Sequence, residues 1–238
     1  MDCGLIGRKL GHSFSPKIHS LLGNYPYRLI PLEPEEVGDF LRKGEFHGLN
    51  VTIPYKRTVM EYCAELTPAA RHIGSVNTIL RRPDGTLLGD NTDYDGFLYL
   101  LKSAGAQVEG RKALVLGGGG ASLAVQYALT EAGIPYAVVS RDPARGNFLY
   151  DDLRPEVVAG HRLIVNATPV GTFPHVDEAP LLPYEALTAA HYLFDLVYNP
   201  ERTQFLLRGE RQGARTLNGL PMLEAQAEAS WRIWNGVI

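Results

Sequence analysis

A strand that runs directly into four glycines constrains the fold of this chain more than any other stretch. Lys112–Leu116, KALVL, is a continuous apolar run that predicts a buried strand, and Gly117–Gly120 follow at once. An amphipathic helix is predicted from there to about Ala132, and a second apolar strand over Tyr136–Ser140. In a strand–glycine turn–helix–strand unit, the glycines let the backbone approach a pyrophosphate at a helix N-terminus. The stretch therefore predicts a Rossmann-type domain that binds a dinucleotide.

The residues after the second strand bear on which dinucleotide is bound. NAD enzymes commonly carry an acidic residue at this strand end, to bond the ribose 2′-hydroxyl. Here Ser140 and Arg141 are followed by Asp142 and, three residues later, Arg145. Two arginines beside a small hydroxyl suit a 2′-phosphate, because guanidinium groups match phosphate oxygens. The segment favours NADP, although Asp142 argues the other way.

This segment is also short. Only about six residues separate Ser140 from the next predicted strand, near Asn147–Tyr150, whereas a parallel crossover normally needs about a dozen or more. We expect the helix that usually lies here to be missing or reduced to a turn.

A second informative stretch is GLNVTIPYK, residues 48–56. Its β-branched run predicts a strand over Leu49–Ile53. Pro54 then suits the first turn of a helix, so Lys56 is predicted in the opening turn. A lysine there is disfavoured by the positive end of the helix dipole. A solvated surface lysine is the simple explanation, and the short polar motifs elsewhere in the chain favour a functional one.

The first of those motifs, HSFSP, follows a strand predicted over Cys3–Gly7. Ser15 is a natural N-cap and Pro16 a natural first residue for the next helix, so capping alone would explain Ser15. Ser13 has no such explanation. Two hydroxyls with the free N–H groups of a helix start can also hold a carboxylate.

The rest of the chain alternates strands and helices. A strand over Val76–Leu80 leads through a turn at Arg82–Gly85 into a hairpin. Asp93 then caps a helix predicted over Tyr94–Ala104, and capping is its simple explanation. The last helix, Leu220–Trp234, carries Gln226, which is tied either to backbone or to a ligand. The other predicted elements are Tyr27–Pro31, Pro34–Lys43, Thr67–His72, Leu163–Asn166, Tyr192–Val197, Thr203–Gln212 and Ala214–Leu217.

Composition excludes several classes of protein. The chain has 238 residues, of which 45% are hydrophobic, enough for one or two domains with a sizeable core. A net charge of −3 provides no basic surface for nucleic acid or an anionic membrane. No apolar run approaches the ~20 residues of a membrane-spanning helix, and no signal peptide opens the chain. Two cysteines, Cys3 and Cys63, imply no disulfide framework and favour a reducing cytoplasm. The seven histidines lack metal-site spacing.

Taken in order, the motifs HSFSP, GLNVTIPYK, SVNT, GDNTD, GGGGAS, NATPVG and GLPMLEAQ, with the turn Tyr198–Pro200, resemble the shikimate dehydrogenase family along nearly the whole chain. The resemblance implies a two-domain α/β protein. Residues 1–100 plus 218–238 would form a substrate domain completed by the last helix, and residues 101–217 a Rossmann domain. It also implies reversible NADPH-dependent reduction of 3-dehydroshikimate to shikimate by a monomer or homodimer.

The resemblance assigns roles residue by residue. Lys56 and Asp93 would form the catalytic pair, and Ser13 and Ser15 would hold the substrate carboxylate with Tyr198 nearby. The ring hydroxyls would be bound by Asp93 together with Thr52, Asn77 and Gln226. The cofactor would be bound by Gly117, Gly118, Gly119, Gly120, Ala121, Ser140, Arg141, Arg145, Thr168, Leu196 and Gly219.

General chemistry supports the catalytic pair independently. Hydride delivery to a ketone develops alkoxide charge, which needs a proton donor within hydrogen-bond reach. An ammonium supplies a proton and electrostatic stabilisation, and a carboxylate can orient it. Two alternatives stay open: a quinate/shikimate dehydrogenase that uses NAD, and a non-catalytic metabolite-binding protein of the same fold. A binding protein would not need a proton donor paired with a carboxylate.

Overall fold

The structure is a computed structural model that describes residues 2–11, 13–105 and 110–237. The chain forms two compact units, Met1–Gly96 with Glu224–Ile238, and Phe97–Leu223. The chain passes from one unit to the other at two points, and each point lies inside a helix. These helices are α4 (Asp93–Ala104) and α8 (Leu220–Trp234). The boundaries predicted from sequence, 100/101 and 217/218, lie within or just before the same two helices.

The first unit is a mixed sheet flanked by helices. Among the described residues its strands are ordered β2-β1-β3-β5-β6-β4. β1 is parallel to β2 and β3, whereas β5 is antiparallel to both β3 and β6. The elements are β1 (Cys3–Gly7), α1 (Ser15–Leu22), β2 (Tyr27–Pro31), α2 (Pro34–Lys43), β3 (Gly48–Val51), a 3-10 helix (Thr58–Tyr62), β4 (Glu65–Leu66), α3 (Pro68–Ile73), β5 (Thr78–Arg81) and β6 (Leu87–Asp90).

The last helix packs on this sheet through Trp234. Its indole N–H donates to the Ile79 carbonyl at 3.0 Å, and its own carbonyl lies 2.6 Å from His47 Nε2. A Cβ built at Gly48 would lie 2.5 Å from the indole ring. A side chain at position 48 would therefore displace the helix from the sheet.

The second unit is a parallel sheet. Its strands are ordered β11-β10-β9-β7-β8 in the part of the chain that the structure describes. β7, β9 and β10 are buried along their whole length, as expected for a sheet covered on both faces. The elements are β7 (Ala113–Leu116), α5 (Gly120–Glu131), β8 (Tyr136–Val139), 3-10 helices (Pro143–Arg145, Tyr150–Asp152 and Tyr184–Ala186), α6 (Pro155–Ala159), β9 (Leu163–Asn166), β10 (Tyr192–Asp195), α7 (Gln204–Arg211) and β11 (Arg215–Leu217).

The segment after β8 is shortened as the sequence predicts. A three-residue 3-10 helix, Pro143–Arg145, stands where a crossover helix usually lies. The strand predicted near Asn147–Tyr150 is wrong, because only one parallel bridge forms there, between Val139 and Phe148. With so few linking residues the chain turns back beside β8 at once and then enters another 3-10 helix.

Four local predictions in the first unit are also wrong. The strand predicted over Leu49–Ile53 ends at Val51, and Lys56 lies in a turn rather than in the first turn of a helix. Ser15 does not cap α1, since Phe14 is at the N-cap position and Ser15 is already helical. Asp93 is likewise the first residue of α4 and not the residue before it.

No helix within the described ranges is both long enough and apolar enough to cross a membrane. The same residues contain no group of three or more potential ligands that could hold a metal ion.

Candidate active site

The turn that carries Lys56 leaves the carboxyl end of β3 and is fixed on both sides. Tyr55 is 2% exposed, and its hydroxyl donates to the Leu32 carbonyl at 2.5 Å. The carbonyl of Lys56 accepts from the Val76 N–H at 2.7 Å. These tertiary contacts hold the chain in a turn, so the helix-dipole argument made from sequence does not apply to Lys56.

Lys56 and Asp93 form an ion pair. Lys56 Nζ lies 2.6 Å from Asp93 Oδ2, and the two side chains are 27% and 17% exposed. Partial burial strengthens the attraction relative to bulk water. The ammonium has three N–H donors, so the bond to Asp93 leaves others able to meet a substrate. The structure thus brings together the two residues predicted to be catalytic.

Asn77 holds the other oxygen of the same carboxylate. Its Nδ2 donates to Asp93 Oδ1 at 2.8 Å, while its Oδ1 accepts from the Thr92 backbone N–H at 2.8 Å. A backbone N–H can only donate, so it fixes which end of the Asn77 amide faces Asp93. Asn77 is 3% exposed. The carboxylate is therefore held on one side by an ammonium and on the other by an oriented amide.

Ser13 and Ser15 lie at the start of α1, and both are half-buried. Ser13 Oγ accepts from the Ser15 N–H at 3.2 Å, so the capping contact belongs to Ser13 and not to Ser15. The hydroxyl of Ser15 instead hydrogen-bonds to Tyr27. His12, the first residue of the HSFSP motif, lies outside the described residues.

Thr52 follows β3 directly and is half-buried. Its N–H donates to the Ile6 carbonyl at 3.0 Å. A Cβ built at Gly7 would lie 2.5 Å from Thr52 Cγ2, so the glycine makes room for this side chain. Thr52 and Lys56 therefore lie on one turn, beyond the carboxyl ends of β1 and β3.

The other two predicted substrate ligands lie on different units. Gln226 is half-buried on the part of α8 that belongs to the first unit, and its carbonyl accepts from Ser230 Oγ at 3.0 Å. Tyr198 is half-buried in the second unit, and burial raises the pKa of its hydroxyl.

The glycine turn of the second unit is shaped by close backbone approach. Gly117 has a φ of +107°, and a Cβ there would lie 2.8 Å from Thr168 Cγ2. At Gly119 and Gly120 an added Cβ would meet nothing within 4 Å. The 12-residue helix α5 starts at Gly120, so the N–H groups of its first turn, which have no partner within the helix, lie at this turn. The turn thus fits a pyrophosphate, which backbone N–H groups and a helix N-terminus bind well.

The remaining predicted cofactor residues lie in the same unit as this turn. Gly118 lies against Ser140, since an added Cβ would lie 3.0 Å from Ser140 Oγ. Gly219 is still more confined, because its Cβ would lie 2.2 Å from the carbonyl oxygen of Leu196. Ala121 is exposed in the first turn of α5. Gly118 and Gly219 therefore have little or no room for a side chain.

Asp195, a buried carboxylate that the sequence prediction missed, organises the strand ends beside the turn. It is fully buried, and burial raises its pKa to about 6. Its oxygens accept from Thr203 Oγ1 at 2.5 Å, from Asn166 Nδ2 at 2.9 Å and from the Val197 N–H. Asn166 Oδ1 in turn accepts from the Thr168 hydroxyl at 2.6 Å. Asp195 therefore fixes the position of Thr168 through one intermediate side chain.

The arginines predicted to select the cofactor are exposed. Arg145 Nε lies 3.3 Å from Asp142 Oδ2, with the side chains 62% and 52% exposed. Asp142 also accepts from the Ala144 N–H at 3.0 Å. Arg141 is exposed next to this pair. Asp142 is therefore engaged with its own turn, which weakens the case that it bonds a ribose hydroxyl.

Sequence reasoning also missed a buried polar group beneath Asn77. Four side chains, all at most 6% exposed, hydrogen-bond to one another there: Asn50, Thr78, Thr92 and Ser230. The available signal was Asn50, a polar residue inside the otherwise apolar strand β3, because buried polar groups need partners.

The parallel sheet with its glycine turn, together with the Lys56–Asp93 pair, defines a two-unit α/β dehydrogenase of the Rossmann class. The family model described as "Shikimate dehydrogenase substrate binding domain" matches residues 5–79. The shikimate dehydrogenase (NADP(+)) of Carboxydothermus hydrogenoformans is 36% identical, over 98% of this chain and 91% of its own length. The chain belongs to the shikimate dehydrogenase family.

Solved structures agree on the fold. Shikimate 5-dehydrogenase from Thermus thermophilus, in complex with NADP(H) and shikimate, matches with a TM-score of 0.89 and 36% identity, covering 100% of this chain and 94% of that one. Quinate dehydrogenase from Corynebacterium glutamicum, in complex with NAD, also matches with a TM-score of 0.89, at 27% identity, covering 99% of this chain and 94% of that one.

Proposed function

We propose that this chain catalyses the reversible reduction of 3-dehydroshikimate to shikimate with NADPH. The observation that carries the proposal is the 2.6 Å contact between Lys56 Nζ and Asp93 Oδ2 on a half-buried turn. A proton donor next to an orienting carboxylate is the group that reduction of a ketone requires. A protein that only bound the metabolite would have no use for it.

Lys56 holds the proton that the reaction consumes. As the carbonyl carbon is reduced, negative charge grows on the ketone oxygen, and Lys56 Nζ donates its proton there to form the hydroxyl. The Asp93 carboxylate orients the ammonium, while Asn77 keeps the carboxylate in place. In the reverse direction the neutral amine of Lys56 accepts the hydroxyl proton. Because its side chain is 27% exposed, Lys56 can exchange that proton with solvent.

The remaining residues bind and orient the substrate. Ser13 and Ser15 would hold the carboxylate at the start of α1, and Tyr198 is the further residue assigned to the substrate. Thr52, Asn77, Asp93 and Gln226 would bond the ring hydroxyls. Support comes from the first unit, where all of these except Tyr198 are found, with Thr52 and Lys56 on one turn.

The open space beside Gly119 and Gly120 supports binding of NADP by the second unit. Gly117–Gly120 and Ala121 would hold the pyrophosphate, Thr168, Leu196 and Gly219 would line the nicotinamide side, and Ser140 with Arg141 and Arg145 would hold the adenosine phosphate. When bound, NADPH supplies the hydride for the reduction. The protein contributes binding, orientation and the proton.

The test is an assay of two substrates, shikimate and quinate, against two cofactors, NADP and NAD, followed by absorbance of the reduced nicotinamide. We expect turnover to be fastest with shikimate and NADP. No turnover in any combination would show a binding protein and contradict the proposal.

A quinate/shikimate dehydrogenase that uses NAD is the second candidate. One observation favours it: the acidic Asp142 lies two residues past the position where NAD enzymes carry their ribose-binding carboxylate. Faster turnover with quinate and NAD in the same assay would establish this alternative.

Ser13→Ala tests the assignment of the carboxylate site. A hydrogen bond to a charged group contributes roughly 1.5–3 kcal/mol, so KM for shikimate should rise more than tenfold while kcat changes less. Ser20→Ala on the same helix is the control, because the Ser20 hydroxyl is exposed and bonds the Lys17 carbonyl. An unchanged KM in Ser13→Ala would mean that Ser13 only caps α1.

We also propose that the enzyme works in the cytoplasm as a monomer or homodimer. Two free cysteines, Cys3 and Cys63, support a reducing compartment. Assays of cell fractions and light scattering of the purified protein test these points. Activity confined to a membrane fraction, or an assembly larger than a dimer, would contradict them.

A further inference from the structure

Ser230 joins the last helix to the residues beneath the catalytic pair. It is fully buried on α8, one turn after Gln226. Its Oγ lies 2.7 Å from Thr78 Oγ1, 3.1 Å from Thr92 Oγ1 and 2.9 Å from Asn50 Nδ2. The two threonine hydroxyls lie 3.0 and 3.1 Å from Asn77 Oδ1. A chain of hydrogen bonds therefore runs from Ser230 to Asn77 and on to Asp93.

The protons of this group can be assigned from donor and acceptor counts. Ser230 has one proton, which goes to the Gln226 carbonyl at 3.0 Å, because a carbonyl can only accept. Ser230 Oγ is then an acceptor with two lone pairs, one for the Asn50 N–H and one for a threonine hydroxyl. Each threonine has one proton and three acceptors within reach: Ser230 Oγ, Asn77 Oδ1 and the other threonine Oγ1, the last at 3.1 Å. With Ser230 Oγ accepting one threonine proton, the other threonine can donate to Asn77 Oδ1.

Without the Ser230 hydroxyl, both threonines would have to donate to Asn77 Oδ1 or to each other. Asn77 Oδ1 already accepts from the Thr92 N–H at 2.8 Å, so it has room for one further donor. Either a second threonine donor at Asn77 Oδ1 or a new Thr78–Thr92 hydrogen bond would change the set of bonds that holds the Asn77 amide, whose other end donates to Asp93 Oδ1 at 2.8 Å. Asn50 Nδ2 would at the same time keep only its longer contacts, to Thr78 Oγ1 at 3.3 Å and to the Asn77 carbonyl at 3.4 Å.

We propose that Ser230 is a positioning residue, which sets the orientation of the Asn77 amide and thereby aligns Asp93 and Lys56 for proton transfer. Because Ser230 lies on α8 and contacts Asn50, Thr78 and Thr92, it also ties the last helix to the residues that support this pair. This inference rests on the proposed function, since it concerns the rate of that reaction.

Ser230→Ala in the full-length enzyme is the first test. A misplacement of about 1 Å can cost on the order of 10²-fold in rate, and a partial tilt is smaller, so kcat should fall about tenfold. KM for shikimate should change less, by under about threefold. Ser20→Ala is the matched control, because its hydroxyl also bonds a carbonyl of its own helix but is exposed and remote from Asn77. Ser230→Thr, which keeps the hydroxyl, should retain more of kcat than Ser230→Ala.

A double-mutant cycle separates positioning from general stability. If Ser230 acts through Asn77, then Ser230→Ala should change kcat by less than about twofold in an Asn77→Ala background. A tenfold loss in both backgrounds would mean that Ser230 acts elsewhere, and an unchanged kcat in the parent background would also overturn the inference.

Ser230→Cys is the second variant, since it keeps the volume and supplies only weak hydrogen bonds. It should resemble Ser230→Ala in kcat. If neither variant accumulates as folded protein, Ser230 is required for folding and the positioning role is rejected. Absence of turnover in the unmodified enzyme would instead reject the proposed function.

Discussion

The two units build their sites in opposite ways. In the first unit, the candidate site consists of side chains. Buried polar groups such as Asn50 and Ser230 form a hydrogen-bond network that supports Asn77, which in turn donates to Asp93. In the second unit, the proposed cofactor site is a glycine turn, and the absence of side chains at Gly119 and Gly120 leaves open space there. The difference predicts which changes each unit tolerates. The first should be sensitive to the loss of polar atoms and the second to the addition of a Cβ.

Lys56→Ala should have the largest effect in the first unit. A general acid commonly supplies ~10²–10⁴-fold in rate, so kcat should fall by that factor while KM for shikimate changes little. Lys56→Arg should not restore activity, because arginine does not release its proton near neutral pH. Steady-state kinetics with shikimate and NADP measure both. A loss of less than about tenfold in kcat would show that Lys56 is not the proton donor.

Acid should affect the stability of the two units in opposite directions. Burial lowers the pKa of His19 in the first unit to about 4, so protons bind the unfolded state as pH falls from 6.5 to 4. That destabilises the fold by about 3 kcal/mol at pH 4. Burial raises the pKa of Asp195 in the second unit to about 6, so protons bind the folded state as pH falls from 6 to 3.8 and stabilise it by a similar amount, about 3 kcal/mol.

Melting curves between pH 4 and pH 7 on two variants separate these effects. His19→Gln keeps a donor for Asn50 but does not titrate, so its Tm should fall less on acidification than that of the parent. Asp195→Asn removes the stabilisation that protonation of Asp195 provides at low pH, so its Tm should fall more on acidification than that of the parent. Parallel curves for all three proteins would show that neither group controls the acid response.

Gly117→Ala against Gly119→Ala tests the second unit. At Gly117 an alanine must adopt a φ of +107° and also approach Thr168, whereas at Gly119 an added Cβ meets no atom within 4 Å. A non-glycine residue in such a conformation costs about 1–3 kcal/mol. Gly117→Ala should therefore lower Tm. Gly119→Ala should leave Tm unchanged, but it should raise KM for NADP because the added methyl group occupies the space proposed for the pyrophosphate. Equal Tm values would mean that the turn relaxes around Gly117.

The sequence predicted the elements best where local pattern and tertiary structure agree. The strand into the glycine turn and the last helix, Leu220–Trp234, were found where predicted. Lys56 was wrongly predicted in a helix, because capping and proline rules use only local sequence. They contain no information on the hydrogen bond from the Tyr55 hydroxyl to the Leu32 carbonyl. Ser15 was misread for a similar reason, since Tyr27 engages its hydroxyl.

The partners within the polar support of the site could not be predicted from sequence. Asn50 is a polar residue in an apolar strand and so needs a partner, but Ser230 lies 180 residues away and is ordinary within its own segment. Only the packing of α8 on the first sheet makes them partners. The candidate catalytic residues were identifiable from motifs, but the residues that hold them required the three-dimensional arrangement.

Substitution of Arg141 or Arg145 should change the preference for NADP over NAD. We expect this effect to be smaller than the effect of Gly117→Ala on the glycine turn. Each exposed arginine can pair with a 2′-phosphate that NAD lacks, and such a charge-assisted contact contributes roughly 1.5 kcal/mol. Arg141→Ala should thus raise KM for NADP about tenfold and leave KM for NAD nearly unchanged. Equal losses with both cofactors would indicate that Arg141 supports the local structure instead.

Asp142→Asn should produce the smallest change, and in the opposite direction. Asp142 and Arg145 form an exposed ion pair, and such pairs contribute about 0–1 kcal/mol. An asparagine keeps an oxygen for the Ala144 N–H, so the 3-10 turn should persist while the competing charge is lost. The kcat/KM for NADP should rise by about two- to fivefold, and that for NAD should stay level or fall. The gain should shrink as salt is added, because charges this exposed are screened beyond roughly 10 Å at 0.1 M ionic strength. A larger rise with NAD than with NADP would show that Asp142 repels both cofactors and does not act through the 2′-phosphate.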